Sequence, residues 1–480
     1  MRLLSCWRTC SGRTLLTAQP RSSSHRSRKN VEVLRGPDRR KARVGYLLAA
    51  LCLFPSCSLE SASSGPGWQL DDDRDSATYD DRDALRDATS DTSDHDAPNL
   101  DSGGGGDVRD ASDSGEAEVV PVAVAAGRNT CVTYSNGRIK CAGDNEFGAF
   151  GGAVERGDVN EPAIVDGVED VHAVESFSSH FCAALMPGQV TCWGENASYQ
   201  LTDVAPPGSG TPPITIPSLD DVVEIAVGDN FTCARLLDWR VECWGDNARG
   251  QVGDGRGGEG GSQMLASQPS VVAGLTDVIE VAAGGANACA RLRDGRVFCW
   301  GDNTFGQLRR HTPDYQNDHE PSPLENERAD EAVQLCVGDG HVCSRSGRSS
   351  HVTCWGRNTE GAVGDHGFDE WGIETLVIDA IDIACGAHFT CALAEGGHVE
   401  CWGSNSNGQL GRGEGPRALP ASYGEAVVAG LQDVVALDAG EAHACAVTSD
   451  GKVWCWGANE HGQLGDGTNE DKRAPVETLF

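Results

Sequence analysis

The chain has 480 residues, with 61 glycines, 20 cysteines, 72 acidic and 38 basic residues, and a formal net charge of −34. That length allows two to four ordinary domains or one large repeat architecture. A surface this anionic repels phosphates instead of releasing their counterions, which excludes nucleic acid as a partner.

Charge is unevenly placed along the chain. Residues 1–43 carry 12 basic and 2 acidic side chains; they lack apolar periodicity and cannot bury a core. Arg39-Arg40-Lys41-Ala42-Arg43 then leads into Val44–Phe54, apolar apart from Gly45 and the Tyr46 hydroxyl, and on to Pro55-Ser56-Cys57. A positive flank, a short apolar run and a small residue before the break predict a secretory signal over residues 39–57. It is too short to span a bilayer, which needs about 20 apolar residues. Residues 1–38 are expected to be untranslated or disordered. Phe54-Pro55-Ser56-Cys57 resembles a bacterial lipoprotein cleavage box, in which the Cys57 thiol is lipidated. It departs from that pattern in its first residue and in the residue before the cysteine, and ordinary cleavage would leave Cys57 a spare thiol.

Residues 58–118 read as a disordered tether rich in Asp, Gly and Ser. Asp71-Asp72-Asp73-Arg74-Asp75, Asp80-Asp81-Arg82-Asp83 and Gly103–Gly106 offer no apolar face, and self-repulsion extends them. A calcium loop needs oxygens at fixed spacing with a late bidentate Glu. These aspartates have no repeated spacing, so a solvated spacer is expected.

From residue 119 the sequence repeats. Cysteine pairs fall at 131/141, 182/192, 233/243, 289/299, 343/354, 391/401 and 445/455, with first members 51, 51, 56, 54, 48 and 54 residues apart. Each second cysteine precedes Gly-x-Asn, as in Cys299-Trp300-Gly301-Asp302-Asn303; Trp intervenes in six repeats and Ala142 in the first. A Gly-Gln-Leu-Gly element follows, clearest at Gly408–Gly411 and Gly462–Gly465. Within a repeat, Val278–Ala283, Cys289–Leu292 and Arg296–Trp300 read as short strands bounded by Gly and Asp. Seven such units predict an all-β fold, a seven-bladed β-propeller over residues 119–480.

Cys-Trp-Gly-x-Asn-x-x-Gly-Gln-Leu-Gly-Asp-Gly, as in residues 455–467, resembles the regulator of chromosome condensation repeat, and Gly440–His443 fits the same family. The resemblance implies a propeller whose last strand is borrowed across the ring closure. Outer strands such as Val271–Leu275 open the other repeats, repeat one lacks one, and Pro475–Leu479 is expected to supply it.

The cysteine pairs follow from hairpin geometry. Asp294-Gly295 suits a three-residue loop with Gly in the left-handed region. That loop pairs Leu292 with Arg296 and, counting outward, Cys289 with Cys299. The pair falls on a non-hydrogen-bonded position with Cα atoms about 4.5 Å apart, within disulfide range. Seven cross-strand disulfides are expected: Cys131–Cys141, Cys182–Cys192, Cys233–Cys243, Cys289–Cys299, Cys343–Cys354, Cys391–Cys401 and Cys445–Cys455. Each constrains the unfolded chain by roughly 2–3 kcal/mol, and together they require an oxidising compartment. Zinc fits less well, because two thiols per blade make half a tetrahedral site. Cys336 and Cys385, left over in neighbouring blades, are either an inter-blade bridge or buried thiols.

No metal site, cofactor or catalytic constellation is expected. There is no His-Glu-x-x-His, no Gly-x-Ser-x-Gly and no phosphate loop. His180, His341 and His443 share one repeat position and read as packing. Insertions at 203–220, 254–270, 309–330, 365–377 and 412–426 enter at one point of the repeat and are expected on one face. Trp239 occupies the slot of Gly137, Gly188, Gly295, Gly397 and Gly451, which favours positive φ. It is either folded against its own blade over a different turn, or an exposed binding anchor.

These features predict a non-enzymatic recognition or scaffold propeller. It is expected to be monomeric and exported to the bacterial cell envelope as an outer-membrane or cell-surface lipoprotein, or else secreted. It would bind an unidentified protein or other extracellular ligand, and touch membrane through its lipid anchor only. Two alternatives stand beside this. One is a secreted enzyme inhibitor, since similar propellers include a β-lactamase inhibitor. The other is guanine-nucleotide exchange, which the family resemblance implies and which export, disulfides and charge oppose.

Overall fold

The computed structural model describes residues 118–480 apart from 149, 151–155, 204–209, 259–263, 309–317, 330, 365–370, 377 and 414–420. The signal at 39–57, Cys57 and the tether, except for its last residue Glu118, lie outside the described residues.

Twenty-eight strands form seven antiparallel sheets among the described residues, each made of four consecutive strands. The sheets run over Pro121–Ile164, Val171–Thr215, Val222–Val271, Val278–Glu325, Ala332–Leu376, Ala380–Val427 and Val434–Glu477, here blades 1 to 7. The first strand of each blade lines a central channel and the fourth lies outermost, as the all-β, seven-bladed reading expects.

The ring does not close as the resemblance implied. Lys472–Glu477 pairs with Val453–Gly457 of its own blade, and blade 1 has its own outer strand, Asp158–Ile164. Segments near Val271 do not open a repeat: Leu265–Val271 is the last strand of the blade before. Blades 7 and 1 therefore meet without a shared strand. Contacts join them instead: the Ala126 N–H donates to Asp438 Oδ2 at 2.7 Å, and the Glu441 N–H to the Gly127 carbonyl at 3.0 Å. Val132 and Tyr134 of blade 1 also pack on Val447, Val453 and Leu464.

Blade 4 shows how the sequence sets the register. The Leu292 N–H donates to the Arg296 carbonyl and the Gly295 N–H to the Leu292 carbonyl, at 2.8 and 2.9 Å, with Gly295 at φ 88°. Cys289 then faces Cys299. All seven repeat pairs are bonded with Cα atoms 4.0–4.1 Å apart, and all fourteen residues are fully buried. Cys336 and Cys385 are bonded to each other, joining the inner strands of blades 5 and 6.

The core lies between facing blades. Trp300, Val278, Val281 and Leu292 of blade 4 pack on Phe231, Val241, Val252 and Val272 of blade 3, and further clusters repeat the arrangement around the ring. Two repeat motifs acquire reasons. The asparagine of Gly-x-Asn caps the following loop: Asn303 Oδ1 accepts the Leu308 N–H and Asn459 Oδ1 the Leu464 N–H. The Gly-Gln-Leu-Gly element serves the next blade, whose tryptophan Nε1 donates to its glutamine carbonyl at 2.9 Å for Trp300–Gln251 and Trp456–Gln409.

Candidate functional site

The inner strands enclose a channel of about 310 Å³. Apolar inner-strand residues such as Val281 and Leu335 are buried in the inter-blade clusters, while five carboxylates and one amide line the channel: Glu175, Glu224, Glu280, Asp382, Asp438 and Gln334. Three cross-strand arginines meet them. Arg235 pairs with Glu224 at 2.6 Å, Arg291 with Glu280 at 2.5 Å, and Arg345 donates to Gln334 at 3.1 Å.

These side chains also bridge blades. Glu224 accepts the Val281 N–H at 3.2 Å and Glu280 the Leu335 N–H at 2.7 Å, each from the next blade's inner strand. Gln334 Nε2 donates to Asp382 Oδ1 across the blade 5–6 junction. The girdle holds inner-strand amides that have no further strand to pair with.

Burial disfavours the charged form of the carboxylates. It pushes Asp438 up to about 7. Glu175 is driven well above its ordinary value by burial and by the nearby charges of Asp438 and Glu224. Glu224 and Glu280 are raised by burial, with Arg235 and Arg291 opposing the shift. At the start of the inner-to-second turn in blade 3, burial together with Asp339, Glu441 and Asp246 pushes Asp229 up to about 6.

His180, His341 and His443 are buried, each in a different junction. Their Nε2 atoms meet Thr232, Thr390 and Thr130 of the following blade at 2.9, 3.0 and 2.7 Å. The Thr232 and Thr390 hydroxyls already donate to the carbonyls of Gln200 and Ala362, so Nε2–H is the donor to them. Burial lowers the three to about 3, 3 and 4. They are neutral junction residues, with no geometry for proton transfer to a ligand.

The antiparallel path puts the second-to-third hairpins on one face of the disc and the third-to-outer connections on the other. The insertion ranges read from sequence take in outer strands, including Thr211–Thr215, Leu265–Val271 and His319–Glu325. The extra residues proper lie between third and outer strands, and in each range some fall outside the described residues.

Trp239 lies on the hairpin face. Its turn is the same as that of the glycine repeats, with its N–H donating to the Leu236 carbonyl at 2.9 Å and φ at 68°. The expectation of a different turn fails because strand register fixes the loop length whatever residue fills it. The ring is 37% exposed and lies 4.4 Å from the Arg293 guanidinium carbon of blade 4 and 6.0 Å from that of Arg235. Left-handed backbone costs a side chain such as this roughly 1–2 kcal/mol, and an exposed cation–π contact returns about 0.5–1 kcal/mol. Trp239→Gly should therefore leave stability unchanged or raise it by up to about 1 kcal/mol, measured by calorimetric Tm. A loss beyond 1 kcal/mol would make the ring a structural prop.

The channel girdle and the histidine–threonine pairs were not foreseen as sites from sequence. A signal for the second was present. Threonine stands immediately before the first repeat cysteine in blades 1, 3 and 6, and those are the blades that follow His443, His180 and His341.

Residues 222–251, 278–307, 380–409 and 434–463 match one family model, and residues 294–344 and 450–479 another, both described as the Regulator of chromosome condensation (RCC1) repeat. The ultraviolet-B receptor UVR8 of Arabidopsis thaliana is 31% identical over 326 residues, covering 64% of this chain and 69% of that protein. The human E3 ubiquitin-protein ligase HERC2 is 26% identical over 358 residues, 71% of this chain; the chain spans only 7% of HERC2. Among solved structures, Prp20p of Saccharomyces cerevisiae superimposes with a TM-score of 0.61 at 19% identity, covering 72% of this chain and 86% of that one. That likeness is one of fold.

Proposed function

Because the chain belongs to the regulator of chromosome condensation (RCC1) repeat family, we propose that it is an exported, non-enzymatic protein-binding propeller, held at a bacterial cell envelope by a lipid on Cys57. The observation that carries this reading is the set of eight disulfides among the described residues. Such a set belongs in an oxidising compartment, and the basic-then-apolar segment at 39–57 supplies a route there. Guanine-nucleotide exchange, the activity that the family resemblance implies, would place these cysteines in a reducing cytosol or nucleus. Prp20p binds Gsp1p and histones, but no corresponding partner is carried over to a chain of this charge.

Recognition is assigned to the loops and tips that the rigid blades present, with Trp239 as an aromatic anchor. The compartment is tested by alkylating the full chain in cell fractions without reduction, then measuring intact mass. Envelope material should show sixteen cysteines blocked, and Cys57→Ser should move the protein from the membrane fraction to the soluble one. Sixteen free thiols in cytosolic material would overturn the reading. Binding is tested with a partner captured from envelope extract. Trp239→Gly or a shortened 309–318 connection should cost at least about 2 kcal/mol of affinity. Full affinity in both would shift the search to other surfaces.

A further inference from the structure

Fourteen of the sixteen bonded cysteines are fully buried between blades. The remaining two, Cys336 and Cys385, line the central channel. Cys336 is only partly buried and Cys385 is 6% exposed. They also depart from the repeat, since Ala226 and Ala282 stand where Cys336 does in blades 3 and 4. Among the described residues theirs is the one covalent link between two blades. Elsewhere the junctions are held by packing and hydrogen bonds.

We propose that Cys336–Cys385 is a thiol–disulfide exchange site, opened and closed through the channel, with Cys343–Cys354 as its exchange partner, while the other six cross-strand disulfides stay intact. The sulfurs of Cys336, Cys385 and Cys343 lie within 4.8 Å of one another, and Cys336 faces Cys343 across adjacent strands. The chemistry closes within this set. An external dithiol, as thiolate, attacks one sulfur of Cys336–Cys385 and forms a mixed disulfide, releasing the other cysteine as a thiolate. The second thiol of the reagent displaces the protein sulfur and leaves as a cyclic disulfide. Two electrons and two protons have then passed to Cys336 and Cys385. The Cys336 thiolate can next attack the sulfur of Cys343, forming Cys336–Cys343 and releasing Cys354, with no net oxidation or reduction.

The channel selects the reagent. Its volume is about 310 Å³, enclosed by the inner strands. A small dithiol enters a space of this size more readily than a tripeptide thiol. Opening the bond leaves the blade 5–6 junction held by His341–Thr390, Gln334–Asp382 and the Asp339 N–H on the Ala387 carbonyl. The disc therefore stays folded with one loosened junction.

The test is a timed reaction of the folded, full-length protein with dithiothreitol or glutathione, quenched by alkylation and mapped by peptide mass, with circular dichroism followed in parallel. Label on Cys385 together with Cys336 or Cys354 should appear at least about tenfold faster than label on any other of the sixteen bonded cysteines, without loss of the β signal, and faster with dithiothreitol. In Cys385→Ser, where Cys336 has no bonded partner, label should divide between Cys336 and Cys354. Uniform labelling that appears only as the β signal is lost overturns the proposal. So does a reaction faster with glutathione, or label confined to Cys336 in the variant.

Discussion

Trp300→Ala will destabilise the propeller by about 3–5 kcal/mol, the range for truncating a large, fully buried aromatic. Trp300 is inaccessible to solvent and fills the space between blades 3 and 4. Its Nε1–H occupies the Gln251 carbonyl at 2.9 Å. Truncation leaves a cavity in each blade's facing surface and an unpaired carbonyl, and neither blade can close the gap, because its cross-strand disulfide and its other neighbour hold it. The site is fitted to indole: a Cβ built on Gly253, at φ 74°, would lie 2.7 Å from the Trp300 nitrogen. Trp300→Phe keeps most of the volume and loses the hydrogen bond, so its cost should fall to about 1–2 kcal/mol. Differential scanning calorimetry with all disulfides oxidised reads both. A Trp300→Ala cost below about 1 kcal/mol would mean that the blades do not depend on this contact.

The same contact marks where the sequence was legible and where it was not. Repetition gave the blade count, and hairpin arithmetic placed Cys289 opposite Cys299, because both are local: one follows from period, the other from loop length. The ring closure is not legible in the sequence because strand pairing at the end of a repeat is a question of phase. A fourth strand at 265–271 reads equally well as the end of one unit or the start of the next until its partner is known. The motifs most conspicuous in the sequence, Cys-Trp-Gly-x-Asn and Gly-Gln-Leu-Gly, look like features of one repeat. The hydrogen bond that joins them, from the tryptophan Nε1 to the glutamine carbonyl, runs between repeats.

The channel was less legible still. Glu224, Glu280, Gln334 and Asp382 share one repeat position, four residues before the repeat glycine, while Glu175 and Asp438 are displaced by two residues along their strands. A lone Glu among Val and Ala in a short strand reads as its solvent-facing side. Nothing local shows that seven such sides face one another across a common axis. The sequence leaves the pairing of Cys336 with Cys385 open for the same reason: their spacing of 49 residues is close to one repeat, and only closure of the ring places successive inner strands side by side.

Closure also sets up the last expectation, which concerns pH. Two groups of buried side chains work against each other. His180, His341 and His443 are neutral in the fold at about 3, 3 and 4 and take up protons near 6.5 when unfolded. Their contribution is complete above pH 6.5 and is lost as pH falls, by about 2 kcal/mol each at pH 5. Asp438 holds its proton up to about 7 in the fold and releases it near 3.9 when unfolded. Its contribution has the opposite sign: absent above pH 7, it grows to about 2–3 kcal/mol by pH 5. Glu175 and Asp229 add to it in the same direction. Stability should therefore vary little between pH 7 and 5, then fall steeply below 4, where the unfolded carboxylates also bind protons and the histidines are left unopposed. Single variants separate the two groups. Asp438→Asn keeps an oxygen for the Ala126 N–H and should stabilise by about 2–3 kcal/mol more at pH 8 than at pH 5. His443→Gln keeps a hydrogen-bonding amide for Thr130 and should lessen acid sensitivity by about 2 kcal/mol between pH 7 and 5. Urea unfolding across pH 4–8 measures both. If Asp438→Asn shifts stability equally at pH 5 and pH 8, the channel does not hold that proton; if His443→Gln leaves the acid limb unchanged, the junction histidines are not what limits the fold at low pH.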